Sequence, residues 1–418
     1  MDALREKIPK DVLALCRRLE EAGHRAWIVG GCIRDLLMGR AVNDWDLATS
    51  ALPGQVQRAF DKTIPTGIEH GTVTVLFRGE AYEVTTLRGE GEYTDGRRPD
   101  TVEFVHRIED DLERRDFTVN AIAYDPLAGD VVDPWGGRAD LEARVIRAVR
   151  DPALRFGEDG LRVLRAARFC GTLDFALEPE TEAAIPGSLE TFRKVSPERV
   201  HEEWKKALKK SARPSIAFDV MRRTGILEIT CPELAGLDEA TWARTMARVD
   251  AAPADPELRL AALWVDLAAA EGAPRRMDDW LRGIRASNQE RKRVVQLALH
   301  GATPAPDALD DAALRRWLRD VGREHVDDVI ALGRADGRPV DALAERARAE
   351  LDRGVPLLPK ELPIGGGDVM KTLDVKPSRA VGDVLELLLE KVLEDPSLGE
   401  RERLLAILPE AYREVTGA

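Results

Sequence analysis

Cysteine is scarce in this chain: Cys16, Cys32, Cys170 and Cys231 are the only four in 418 residues, and none stands in C-x-x-C spacing. That pattern argues against a disulfide framework and a thiolate zinc site, and it points to a reducing cytoplasm. Long apolar runs are missing too. None approaches the roughly 20 residues that span a bilayer, and the opening MDALREKIPK has no apolar stretch of the signal-peptide kind. No membrane partner is expected. Positive charge is in deficit, 62 Lys and Arg against 75 Asp and Glu, for a net charge of −13. An acidic balance argues against a nucleic-acid partner, but its distribution weakens the objection. Eight basic residues against three glutamates lie between Arg193 and Arg213, a patch where an RNA backbone would sit. The length exceeds what one core holds, so several domains are expected.

The most informative stretch is WIVGGCIRDLLMGRAVNDWDL, beginning at Trp27. Trp27–Val29 reads as a short buried strand, and Gly30-Gly31 lets the backbone turn sharply and approach another group. Cys32–Met38 reads as a helix closed by Gly39, its N-terminus suited to a polyphosphate, with Arg34 able to fork onto phosphate oxygens. Asn43–Leu47 reads as the next strand, with Asp44 and Asp46 on one face and Trp45 and Leu47 on the other. Paired carboxylates facing a polyphosphate site suit Mg²⁺, a hard cation that keeps waters and takes substrate phosphates as ligands. A lone D-x-D is usually a solvated turn. Strand, glycine pair, helix and D-x-D together describe nucleotidyl transfer.

This combination resembles the nucleotidyltransferase superfamily that includes DNA polymerase β. More narrowly, it is similar to the class II tRNA nucleotidyltransferases (CCA-adding enzymes) and the bacterial poly(A) polymerases derived from them. The resemblance implies an α+β chain: a nucleotidyltransferase α/β head over 1–148, then an all-helical neck (149–212), body (213–303) and tail (304–418). The residue pattern agrees, since strand-like alternation such as Thr72–Phe77 and Tyr82–Leu87 gives way after Pro152 to helical pattern. Glu83, in a strand with Thr85 on its face, is the candidate third carboxylate, joining Asp44 and Asp46 as catalytic residues. In ERRDFTVNAIA, Asp116 would accept from a ribose 2′-hydroxyl, Arg115 would reach phosphates and Asn120 would assist. The bland alternative is an Arg–Asp pair holding a helix start. The Gly-rich segment Arg88–Thr101 resembles the flexible loop that the family needs to add the final A.

RFGEDGLRVLRAARF (155–169) carries the second specific signal. Asp159 and Arg162, three apart on one predicted helix, are surface neighbours. Cytosine and adenine both present an amino donor beside a ring-nitrogen acceptor, whereas uracil and guanine present a carbonyl and a ring N–H. An aspartate and an arginine at that edge therefore select C and A with no template strand. In the family the matching pair does this, and Arg165 and Arg168 match further nucleotide contacts. Arg168, about half a turn from Asp159, fits less well, and the alternative for the whole set is a surface ion pair of about 0.3–0.5 kcal/mol. In the tail, Gly365–Gly367 and Lys376-Pro377 resemble a tRNA-contacting segment, although a plain helix-loop-helix explains them equally.

The resulting reading is a template-independent enzyme that adds CCA to tRNA from CTP and ATP with Mg²⁺, nucleotide-binding residues including Gly30 and Gly31. An A-adding enzyme or a poly(A) polymerase shares the motifs. A catalytically silent tRNA-binding protein is the alternative from another class, disfavoured by all three carboxylates being present. The phosphohydrolase domain that some relatives append is not expected, because no histidine is followed by Asp.

Overall fold

The computed structural model describes residues 2–89, 103–305 and 308–417; from residue 90 onward the Gly-rich segment lies outside them. Two compact units divide the chain, Met1–Gly236 and Leu237–Ala418.

The first unit is built on β1 (Ala26–Val29), β2 (Asp46–Thr49), β3 (Thr63–Gly67), β4 (Thr72–Phe77), β5 (Glu80–Thr86), β6 (Ala123–Asp125) and β7 (Asp130–Val132). They form one mixed sheet in the order β3-β4-β5-β2-β1-β6-β7. All four residues of β1 are buried because both faces are covered. Ala26 and Ile28 face helices Lys10–Glu21, Gly31–Leu37 and Pro53–Ala59 through Leu15, Leu19, Ile33 and Val56. Trp27 and Val29 face Leu87, Ile108, Leu112 and Val149 on the other side. This period-two split is what a two-faced central strand requires. The parallel β2–β5 ladder sets Asp46 opposite Glu83, while the antiparallel β1–β2 ladder sets Ile28 opposite Leu47.

Two elements differ from expectation. β2 starts at Asp46 and not at Asn43, because its ladder with β1 runs out where Gly30, at φ +73°, turns the chain away. Asp44 therefore precedes the strand. Strand structure also persists beyond Pro152, since β8 (Val145–Ile146) pairs in parallel with β9 (Ala176–Leu177). Otherwise this part is helical. Leu161–Leu173 packs on Pro197–Lys210 and on Ser215–Arg223, and a Cβ on Gly171 would lie 3.0 Å from the Ala217 methyl.

The second unit contains no strand among its described residues and runs from helix Glu239–Ala251 to helix Arg401–Thr416. Arg248 is fully buried there, held by Asp266 and Asp336 at 2.8 Å each, so the charge enters the core already paired. Gly366–Leu373 and Arg379–Glu394 give the 362–388 segment its helix-loop-helix form. No described helix is long and apolar enough to cross a membrane.

Candidate active site

β1 delivers the chain to Gly30, whose positive φ few other residues adopt and whose missing side chain makes room for Arg115. A Cβ there would lie 2.7 Å from Arg115 Nη1. Helix Gly31–Leu37 follows at once and carries Arg34, which donates to Asn120 Oδ1 at 2.7 Å and to Asp35 Oδ1 at 2.9 Å. The strand-turn-helix thus presents its N-terminus and an arginine to one place.

Asp44, Asp46 and Glu83 line a cavity of about 660 Å³ beside β2 and β5. Crowding by surrounding protein and then the charge of Glu83 raise the Asp46 pKa, Arg115 pulls it down, and Asp44 pushes it up again. The carboxylates feel one another, yet among the described residues no three His, Cys, Asp or Glu side chains close around a single ion position. The donors form an open, all-oxygen set.

A second cavity, of about 530 Å³, receives Gly30, Gly31, Arg34, Arg115, Asp116 and Asn120 from the head. Asp159, Arg162, Arg165, Arg168 and Phe169 line it from the helical side, with Lys206 and Lys210 of the basic patch. Asp46 belongs to both cavities. All ten of the nucleotide-site candidates thus converge on one space, which has Asp46 in common with the carboxylate cavity. Arg168, which the helical ridge placed half a turn away, reaches the same space by lying 4.0 Å over the Phe169 ring. Arg34 and Arg165 stand over that ring at 5.4 and 5.3 Å. Three cations around one aromatic ring make Phe169 the pivot of the arginine cluster.

Asp159 and Arg162 meet the cavity by a different route from the one expected. Helix Pro152–Glu158 stops at Asp159, which adopts an extended backbone (φ −141°, ψ 105°), and a new helix begins at Leu161. Asp and Gly favour such breaks. Asp159 Oδ1 accepts from the Leu161 N–H at 3.0 Å, and Gly160 is pressed so close to Thr191 that a Cβ would lie 2.6 Å from its carbonyl oxygen. No Asp159–Arg162 ion pair forms on a helix surface. Asp159 Oδ2 instead accepts from Arg199 at 2.6 Å, and Arg162 donates to Glu158, to the Arg155 carbonyl at 2.9 Å and to the Arg114 carbonyl at 2.9 Å.

Asp116 is buried and already saturated. One oxygen accepts from the Phe117 N–H and Asn120 Nδ2, both at 2.9 Å, and the other accepts twice from Arg165, at 2.8 and 2.6 Å. Burial alone would raise its pKa, but Arg165 and Asn120 hold it well below the usual carboxylate range. About four acceptor positions is a carboxylate's capacity, so a ribose hydroxyl would have to replace an existing partner. Sequence reasoning missed Glu203, 2% exposed, which anchors Arg168 and lies 3.7 Å from Arg165. A signal was present: Glu203 lies on the same face of its helix as Val200 and Ala207, where an acid needs a buried partner. Arg199 and Asp111 were missed as well.

This sheet, glycine turn and pair of cavities define a nucleotidyltransferase. Residues 26–147 match the Poly A polymerase head domain, and residues 174–237 match the probable RNA and SrmB-binding site of polymerase A. The chain is 39% identical over 388 residues to the CCA-adding enzyme of Lactobacillus delbrueckii subsp. bulgaricus, covering 91% of this chain and 92% of that one. Identity to the CCA-adding enzyme of Geobacillus stearothermophilus is 36%, over 97% of each. The crystal structure of the Bacillus stearothermophilus CCA-adding enzyme in complex with CTP superposes with a TM-score of 0.81 at 33% identity, covering 97% of this chain and 98% of that one. The chain belongs to the CCA-adding enzyme family.

Proposed function

We propose that the protein completes tRNA 3′ ends with CCA from CTP and ATP, without a nucleic-acid template, releasing pyrophosphate in the cytoplasm. The observation that carries this reading is Asp46, in register with Glu83 and on the rim shared by the carboxylate cavity and the arginine-lined cavity. A triphosphate lying among Arg34, Arg115 and the helix N-terminus would bring its reacting end to that rim. The domain assignment in this reading is head 1–148, neck 149–212, body 213–303 and tail 304–418.

Asp44 and Asp46 would hold Mg²⁺, with Glu83 beside them, because an open set of oxygen donors leaves room for waters and substrate phosphates. When bound, the ion supplies a lowered pKa for the primer hydroxyl and neutralises charge on the triphosphate. Around it, Arg115 and Arg34 orient phosphates, and Asp159 and Arg162 present the base-reading edge. For these two to read a base, the Arg199 and Glu158 partners must share or yield. The Asp46 carboxylate is destabilised when ionised. Metal-free Asp46→Asn is therefore expected to melt no lower than the native protein near pH 7, above the ordinary carboxylate pKa. Mg²⁺ should raise the native melting temperature and leave that of the variant almost unmoved. Calorimetry with and without Mg²⁺ checks both.

The assay for the whole reading uses tRNA ending at the discriminator base and tRNA ending in CC, each with CTP and ATP. Correct extension of both, followed by a stop at the terminal A, is the expected result. Extension of only the CC-ending tRNA would make the protein an A-adding enzyme, and long A tails would make it a poly(A) polymerase.

A further inference from the structure

We propose that Asp111 is a positioning residue that sets the spacing between the two ends of the nucleotide cavity, the Arg115 end beside Asp46 and the Arg162 end at the base edge. The inference rests on the nucleotide-transfer reading above. Asp111 lies in helix Ile108–Glu113 and is 1% exposed. Its Oδ2 accepts from Arg115 Nη2 at 3.2 Å, and Arg115 in turn packs against Gly30 and acts on the Asp46 charge. Its Oδ1 accepts from Arg114 Nε at 3.1 Å, Arg114 Nη2 at 2.6 Å and the Arg88 N–H at 3.2 Å. Arg114 Nε also donates to the Arg88 carbonyl at 3.1 Å, so both backbone groups of Arg88 are clamped. The Arg114 carbonyl then accepts from Arg162 at 2.9 Å. One carboxylate therefore holds Arg115 directly through Oδ2 and, through Oδ1, the side chain of Arg114, whose main-chain carbonyl accepts from Arg162.

A buried charge needs partners, but one arginine would have sufficed for solvation. Four donor groups from three residues leave the carboxylate with no second position, which is the property that a spacer between two ends needs. Burial acts to raise the Asp111 pKa, and Arg114 and Arg115 hold it at about 2, so it is ionised throughout the working range.

Asp111→Asn keeps the shape and an acceptor for the Arg88 N–H but removes the charge. In single-turnover extension of tRNA, the maximal CTP rate should fall about tenfold or more while KM for CTP changes less than about threefold, the mark of a misplaced reacting end. The ratio of UTP to CTP incorporation should rise about fivefold or more as Arg162 loosens. Native base choice in a folded Asp111→Asn overturns the proposal, whether or not the rate falls, and a lowered melting temperature alone would leave only a structural ion pair. If Asp111→Asn does not fold, Arg114→Met carries the test. Its side chain is 20% exposed and its loss leaves Asp111 beside Arg115; a raised UTP to CTP ratio supports the proposal and an unchanged one overturns it. Native protein that incorporates no CTP would overturn the parent reading, whereas competent native protein with an indifferent variant overturns this one alone.

Discussion

Asp44→Ala and Asp46→Ala should each lower nucleotide incorporation on the order of a thousandfold, the scale of losing a group that stabilises charge only in the transition state. The affinity for tRNA should change little, because in the proposed reading the helical segments would hold the RNA and these carboxylates would serve the reacting groups. Asp46 is expected to be the more sensitive of the two. It is fixed in the β2 ladder opposite Glu83 and lines both cavities, whereas Asp44 precedes the strand and lines the carboxylate cavity alone of the two. Single-turnover incorporation and a filter-binding titration measure the two quantities separately. Residual turnover above about a tenth of native would place the metal elsewhere.

Asp159→Ala and Arg162→Ala should relax the choice among the four nucleotides by about 10- to 100-fold, and slow CTP and ATP together. Discrimination at such a site comes largely from polar groups that the wrong base leaves unpaired. Asp159 also accepts from the Leu161 N–H at the head of the next helix, and losing such a contact costs about 1 kcal/mol. Asp159→Asn keeps an oxygen for that N–H, so it separates base choice from helix stability. Competition among all four nucleotides on CC-ending tRNA is the measurement. Native choice in either alanine variant would sink the idea that the protein supplies the pairing edge.

The parts of this site that were legible in the sequence are local. An apolar run ending in Gly30-Gly31 dictates strand, turn and helix, because only glycine takes the φ at Gly30 and leaves room for Arg115. The paired aspartates were visible for the same reason. The pairing of β2 with β5 was not, since a parallel partner 37 positions away depends on the intervening β3 and β4 as well as on local pattern. Glu83 was therefore found through family resemblance, and the register supplies its geometry. Asp159 and Arg162 do line the same cavity, but not from one helix as the spacing of three suggested, although Asp159-Gly160 is itself a break signal. The carboxylates that hold the arginines stayed hidden for different reasons: Glu203 because its partner Arg168 is 35 positions away, Asp111 because its local pairs with Arg114 and Arg115 carry no sign of burial in the sequence.

Those carboxylates change what the cavity does with a polyanion. Arg34, Arg114, Arg115, Arg162, Arg165 and Arg168 would by themselves make a trap from which pyrophosphate escapes slowly. Each is instead matched from within, by Asp35, Asp111, Asp116, Glu158 or Glu203. In the proposed reading an arriving nucleotide would compete for guanidinium groups that already have anionic partners. On that reading affinity would be set by a difference between two similar sets of ion pairs, and would stay moderate. A catalyst that must bind and release three times on one RNA end benefits from exchange of this kind, where tight capture would stall it after the first addition.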